Sequence, residues 1–309
     1  MMSASPAYRT SPETNRLAHN FSQGSNDFSR ASLLSLPARE ADRAEVFDFL
    51  ARRPLHTAYM SGLIRDNGLL SLANRGTFYT CRNAQGRLEG VALIGHATMF
   101  ETRTDAALAR FARLAREYRQ THMLIGEQES VRRFWQYYAE GGQSVRMACR
   151  EMLFEQRWPL EAHEAVHGLR PATLEDFEPV VELHARLAYE ESGVNPLEVD
   201  AEGFRERCAQ RVARGRVWVW REGGRLIFKA DVVAETPEVN YLEGVYVRHE
   251  ERGRGYGLRC LSQLTRNLLR RTKSVTLFAN EQNAPSLALY ARAGFRRRGA
   301  YDTIFLQKS

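Results

Sequence analysis

The stretch "EGVYVRHEERGRGYGLRCL", residues 243–261, decides how this chain is read. A β-branched run ends at Val247, acidic residues follow, and Gly253, Gly255 and Gly257 then alternate with Arg254 and Tyr256 before a leucine-rich segment opens. A glycine turn between a strand and a helix presents backbone N–H groups and the positive end of a helix dipole, a combination suited to phosphate oxygens. Two nucleotide designs fail on spelling. A Walker phosphate loop closes with Gly-Lys-Ser/Thr, whereas Gly257 is followed by Leu258 and Arg259. A dinucleotide fingerprint is GxGxxG after the first strand of a parallel unit, whereas this loop spells GxGxG after an antiparallel meander.

Working outward, "RVWVWREGGRLIFKADVVAE" predicts a hairpin turning at Glu222 to Gly224, and "VNYLEGVYV" a third strand leading into the loop. Beyond it, "GLRCLSQLTRNLLRR" predicts a helix, "SVTLFAN" a strand, "APSLALYARAGF" a helix ending at Gly294, and "RRRGAYDTIFLQ" a closing turn and strand. Upstream, Thr173 followed by Glu175 and Asp176 signals a helix start, and Phe177, Val180, Val181, Leu183 and Leu187 supply its apolar face. A further helix over "DAEGFRERCAQRVARG" follows.

The first half is also α/β. Two helices separated at Pro54 lead to a strand, a turn at Asn83 to Gly86 and a second strand running through "VALIGHATMF". "DAALARFARLAREYRQ" is an amphipathic helix whose Arg110, Arg113, Arg116 and Arg119 form a solvated face. "HMLIGEQESVRRFWQYYAE" is a strand turning into a helix, and "MACREMLFEQ" another strand. These elements imply an α/β (α+β) chain: a disordered leader at 1–30, a first domain at 31–160, a linker at 161–167 and a second domain at 168–309. His163 and His167 lie four apart in the linker segment, but no third ligand is near, so no metal site is expected.

Composition bounds the partners. The chain has 309 residues, and 44 Lys and Arg against 37 Asp and Glu leave a formal charge of +7, which favours anionic partners without choosing among them. Cys81, Cys149, Cys208 and Cys260 are scattered, as in a reduced, cytoplasmic protein. The longest apolar run is about half of what a bilayer span requires, so no membrane partner is expected. The basic balance and "RRRG" at 296–299 lack an aromatic platform or a DNA-reading helix, so no nucleic-acid partner is expected either.

The loop does not stand alone. Arg252, Gly255 and Gly257 fit the pattern Q/R-x-x-G-x-G/A, and "NEQNAPSLALYARAGF" supplies Asn283, Ser286, Tyr290, Gly294 and Phe295 in the spacing N-x-x-A/S-x-x-x-Y-x-x-x-G-F. Together they resemble the acetyl-CoA site of the GCN5-related N-acetyltransferase (GNAT) superfamily. The chain is similar to a bacterial two-domain subgroup in which an uncharacterised GNAT-like domain precedes the GNAT domain. The resemblance implies tandem GNAT-like domains, each a mixed, mostly antiparallel sheet flanked by helices, with a degenerate first domain.

It further implies acetyl-CoA as co-substrate, no metal, and transfer of an acetyl group to a primary amine by direct attack in a ternary complex. The strand carrying Val245, Tyr246 and Val247 would part from "SVTLFAN" and pair with the pantetheine arm. The amides of Gly253, Arg254, Gly255, Tyr256, Gly257 and Leu258 would bind the pyrophosphate, with Arg252, Arg254 and Arg259 adding charge. Asn283 and Ser286 belong to the cofactor motif, and Tyr290 would protonate the CoA thiolate. Glu243, expected to share a strand face with Val245, is the candidate base; Glu190 and Glu191 are candidates for the acceptor side. The acceptor is a small-molecule or peptide amine, and the protein a monomer or homodimer. The alternative is a non-catalytic CoA-binding or sensing module.

Overall fold

A computed structural model describes residues 33–118, 121–160 and 165–307. The expected leader at 1–30, Arg119 of the arginine row and most of the linker segment, including His163, lie outside the described residues. The described chain forms two compact units, one of residues 33–153 joined by 298–307, the other Phe154–Arg297.

The first unit comprises β1 (Leu34–Pro37), α1 (Arg43–Leu50), α2 (Pro54–Asn67), β2 (Gly76–Arg82), β3 (Leu88–Gly95), β4 (Ala97–Thr102), α3 (Asp105–Ala115), β5 (Met123–Glu127) and α4 (Gln128–Tyr138). It ends in β6 (Val145–Gln156), within which the chain passes into the second unit. β1 to β4 pair antiparallel in sequence, and β4 pairs parallel with β5. The run expected to be one strand through "VALIGHATMF" is two: the His96 amide binds the Arg75 carbonyl at 2.9 Å, and the chain reverses there. One face of the sheet packs Phe111, Phe134 and Tyr138, the other Val46, Leu50, Ile64 and Phe78.

The second unit holds β7 (Arg170–Pro171), α5 (Phe177–Ser192), α6 (Pro196–Val199), α7 (Ala201–Ala213), β8 (Val217–Glu222), β9 (Arg225–Glu235), β10 (Val239–Val247), α8 (Tyr256–Leu269), β11 (Ser274–Asn280) and α9 (Ala284–Arg292). β7 to β10 form an antiparallel meander and β11 pairs parallel with β10. Leu261, Leu264 and Leu268, three or four apart on α8, are fully buried, the pattern of a helix laid on a sheet.

The final strand, β12 (Arg296–Leu306), was expected to close the second domain, but it pairs antiparallel with β5 of the first unit, Tyr301 opposite Glu127 and Phe305 opposite Met123. Side-chain chemistry explains the destination. Ile304 enters the first unit's core, Asp302 is bound by Arg150 at 2.9 Å, Thr303 by Glu151 at 3.1 Å, and Tyr301 by His56 at 2.8 Å.

α5 opens on the expected signal. Asp176 accepts from the Thr173 amide at 2.8 Å, the Thr173 hydroxyl at 3.2 Å and Arg170 at 2.6 Å, with Arg221 at 3.3 Å on its other oxygen. Burial works against this carboxylate, but Arg170 and Thr173 outweigh burial and hold its pKa down to about 2. A depressed carboxyl stabilises the fold above its unfolded pKa of about 4 and loses that contribution as pH falls toward the folded value. Asp176→Asn is expected to cost at least about 1 kcal/mol at neutral pH, and thermal melts should show the gap to the parent narrowing from pH 4 to pH 2.

Candidate functional site

The site is built where β10 parts from β11. Its parallel pairing with β11 runs from Val239 opposite Ser274 to Leu242 opposite Leu277 and stops, so Glu243 to Val247 have no β11 partner among the described residues. On the other side, β10 carries a bulge against β9: Glu243 lies opposite Asp231, yet Tyr246 lies opposite Lys229, one more residue on β10 than on β9. Gly244 makes the bulge with a positive φ of 56°.

The bulge corrects one expectation. Residues opposite one another in an antiparallel pair share a face, and Asp231 and Lys229, two apart on β9, are on one side. Glu243 therefore shares its face with Tyr246 and not with Val245. That face looks toward α5, whose Arg186 guanidinium lies 5.3 Å from the Tyr246 ring centre. Glu243 is exposed and accepts from the Tyr241 hydroxyl at 2.5 Å. Glu190 is exposed and 3.9 Å from Arg186, and Glu191 is exposed one residue farther along α5.

Past β10, Gly253 and Gly255 both adopt φ of 80°, and nothing lies within 4 Å of where a side chain would begin at either. Gly255 is the N-cap of α8 and provides no side chain to cap it. The Arg259 amide is bound to the Gly255 carbonyl at 3.1 Å, which leaves the Tyr256, Gly257 and Leu258 amides as the helix's first donors, with no backbone acceptor among the described residues. Gly257 packs where a Cβ would stand 3.1 Å from Val247 and 3.5 Å from Leu289, so the end of β10, the start of α8 and α9 meet there. Arg252 turns back to the Val247 carbonyl at 3.1 Å, and Arg254 pairs with Glu251 at 2.9 Å. The Tyr256 ring meets Trp220 edge-on at 4.9 Å.

α9 is started by Asn283, whose side-chain oxygen accepts from the Ser286 amide at 3.1 Å. One turn on, the Tyr290 ring is buried between Phe154 and Phe295, each 6.0 Å away. Burial pushes its phenol pKa well above the ordinary value, against the opposing hydrogen bond from Ser286. Tyr290 therefore stays protonated at neutral pH.

Sequence reading missed what lies beneath the bulge. The Lys229 ammonium is fully buried and binds Asp231 Oδ2, which His184 Nε2 of α5 also reaches at 2.7 Å; His184 Nδ1 meets Cys208 Sγ of α7 at 3.2 Å. Burial keeps His184 below its ordinary pKa and Cys208 above its own. Both are therefore uncharged, and the network reads as a Cys208 thiol donating to His184, which donates to Asp231. Burial opposes the Asp231 carboxylate too, but Lys229 and His184 outweigh it and hold the carboxyl far below the usual range. The available signal was "KAD" within an apolar central strand, two charges on one inward face. All four cysteines are free thiols, and among the described residues no group of three His, Cys, Asp or Glu is arranged to hold a metal. No described helix is long and apolar enough to cross a membrane.

Residues 229–304 match the family model described as FR47-like protein. Among solved structures, the chain is similar to an acetyltransferase of the GNAT family from Colwellia psychrerythraea (10% identity, 89% of this chain and 100% of that one, TM-score 0.53). It is similar to a tandem GNAT protein from the clavulanic acid biosynthesis pathway (18%, 88% and 98%, TM-score 0.56) and to a GCN5-related N-acetyltransferase from Sphaerobacter thermophilus (15%, 88% and 94%, TM-score 0.56). No curated protein sequence matches the chain.

Proposed function

From a chain that carries the tandem GNAT fold, we propose an acetyl-CoA-dependent N-acetyltransferase that moves an acetyl group to a primary amine by direct attack in a ternary complex. The observation that carries this reading is the opening of β10 from β11 immediately before an uncapped helix start with a glycine-lined approach. Those groups fit acetyl-CoA: the free strand edge suits amides of a pantetheine arm, and the Tyr256 to Leu258 amides suit a pyrophosphate.

Bound acetyl-CoA would supply the acetyl group as a thioester, open to attack by an amine. The chain's own residues do the rest. Tyr290 keeps its phenolic proton available to a leaving sulfur. A free alkylamine has a pKa of about 10, so at neutral pH its proton must be accepted. Glu243, oriented by Tyr241 on the α5 face, draws the cation and takes that proton, and Glu190 and Glu191 add negative charge on α5.

One cofactor per chain is expected, in the second unit. In the first, β4 also parts from β5 after Met99 and Ile125, but Phe100 stacks on Phe134 at 4.5 Å beside the opening. Arg53 ties Glu101 at 3.2 Å to Glu127 at 2.7 Å. The α3 start is capped by the Thr104 hydroxyl, which accepts from the Ala107 amide at 3.3 Å, and Asp105 puts an acidic residue where an anion would bind.

The test is incubation of the full chain with acetyl-CoA and a broad panel of primary amines, reading thiol release and acetylated product. Turnover with one or more amines is expected; tight CoA binding without turnover across the panel would establish a binding or sensing module instead. Gly255→Val imposes a left-handed conformation that costs a side chain about 1–2 kcal/mol, so calorimetry should show CoA affinity reduced about tenfold or more.

A further inference from the structure

A buried ion pair in a central strand is a poor way to gain stability, because desolvating both charges offsets their attraction and an apolar pair of similar size does as well. Here the cost is raised further, since Asp231 Oδ1 is buried with no donor among the described residues. The position of the pair supplies a reason for its presence. A side chain at Gly244 would begin 2.6 Å from Lys229 Nζ and 3.2 Å from Asp231 Oδ2, so both charged ends lie against the backbone of the bulge residue. α5 closes the arrangement from the other side through His184 and through Leu187, 3.9 Å from the same point.

We propose that Lys229 and Asp231 are positioning residues of the acyl-transfer site: the pair, held by His184, locks the Gly244 bulge. The bulge in turn sets Glu243 and Tyr246 on the α5 face and turns Val245 away from it. An apolar pair would fill the space but would not hold the bulge in one register. The inference rests on the proposed acetyl transfer for its catalytic consequence, and on the β9–β10 geometry alone for the lock.

The experiment compares the full-length parent chain with Lys229→Met/Asp231→Leu, which removes both charges at similar volume. The double variant leaves the buried His184 Nε2–H without its Asp231 acceptor and is expected to melt a few degrees below the parent, with amide hydrogen exchange of residues 243–247 about tenfold faster and that of α8 unchanged. Its kcat should fall about a hundredfold, with KM for acetyl-CoA within about threefold of the parent. Exchange at 243–247 within about twofold of the parent overturns the lock. So does a melting temperature more than about ten degrees lower, since the pair would then support the whole core rather than one bulge. A parent without turnover toward any amine defeats the acetyl-transfer reading, while the exchange comparison still decides the lock.

Discussion

Lys229→Met alone is expected to lower the stability of the chain by about 3–5 kcal/mol, the cost of leaving a buried charge without its partner. Asp231 would keep the His184 hydrogen bond at 2.7 Å but lose the ammonium that holds its carboxyl ionised. It then takes up a proton or draws water into the sheet. The single variant is thus expected to be far less stable than Lys229→Met/Asp231→Leu, although the latter carries more substitutions. Urea unfolding of the two side by side measures the difference, and a double variant as unstable as the single one would show that the pair contributes packing rather than paired charge.

Tyr290→Phe removes one oxygen from a side chain packed between Phe154 and Phe295, and is expected to lower kcat for acetyl transfer about 100-fold or more while leaving CoA affinity unchanged. The direction follows from the chemistry of the substitution: phenylalanine keeps the ring contacts and removes the only proton this side chain could give a leaving sulfur. The loss should be smaller with an acetyl donor whose thiol is more acidic, because a better leaving group needs less protonation. Steady-state rates with two such thioesters test this, and an equal loss with both would assign Tyr290 to packing.

The two expectations separate what the site holds from how it is held. In the proposed reaction Gly255 and the α8 amides would serve an anion, Tyr290 a leaving group and Glu243 an amine. Lys229 and Asp231 lie against the Gly244 backbone and, in the proposed lock, act through it. The division explains why the first group was legible from residue spelling and the second was not.

The sequence by itself determined what depends on neighbours along the chain. The glycine loop between strand and helix, the hairpin at Glu222 to Gly224, the Thr173 and Asp176 cap and the leucine stripe of α8 all follow from turn chemistry and periodicity within a few residues. Tertiary structure decided what depends on partners brought from afar. It split the strand at His96, sent β12 to β5 because Ile304 and Asp302 find their core and their arginine there, and inserted the bulge that moves Val245 off the face of Glu243. A strand alternates with period two, so one extra residue reverses every face after it, and only pairing register records that residue. The same holds for Lys229: its spelling shows a charge in an apolar strand, and only the fold places Asp231, His184 and Gly244 around it.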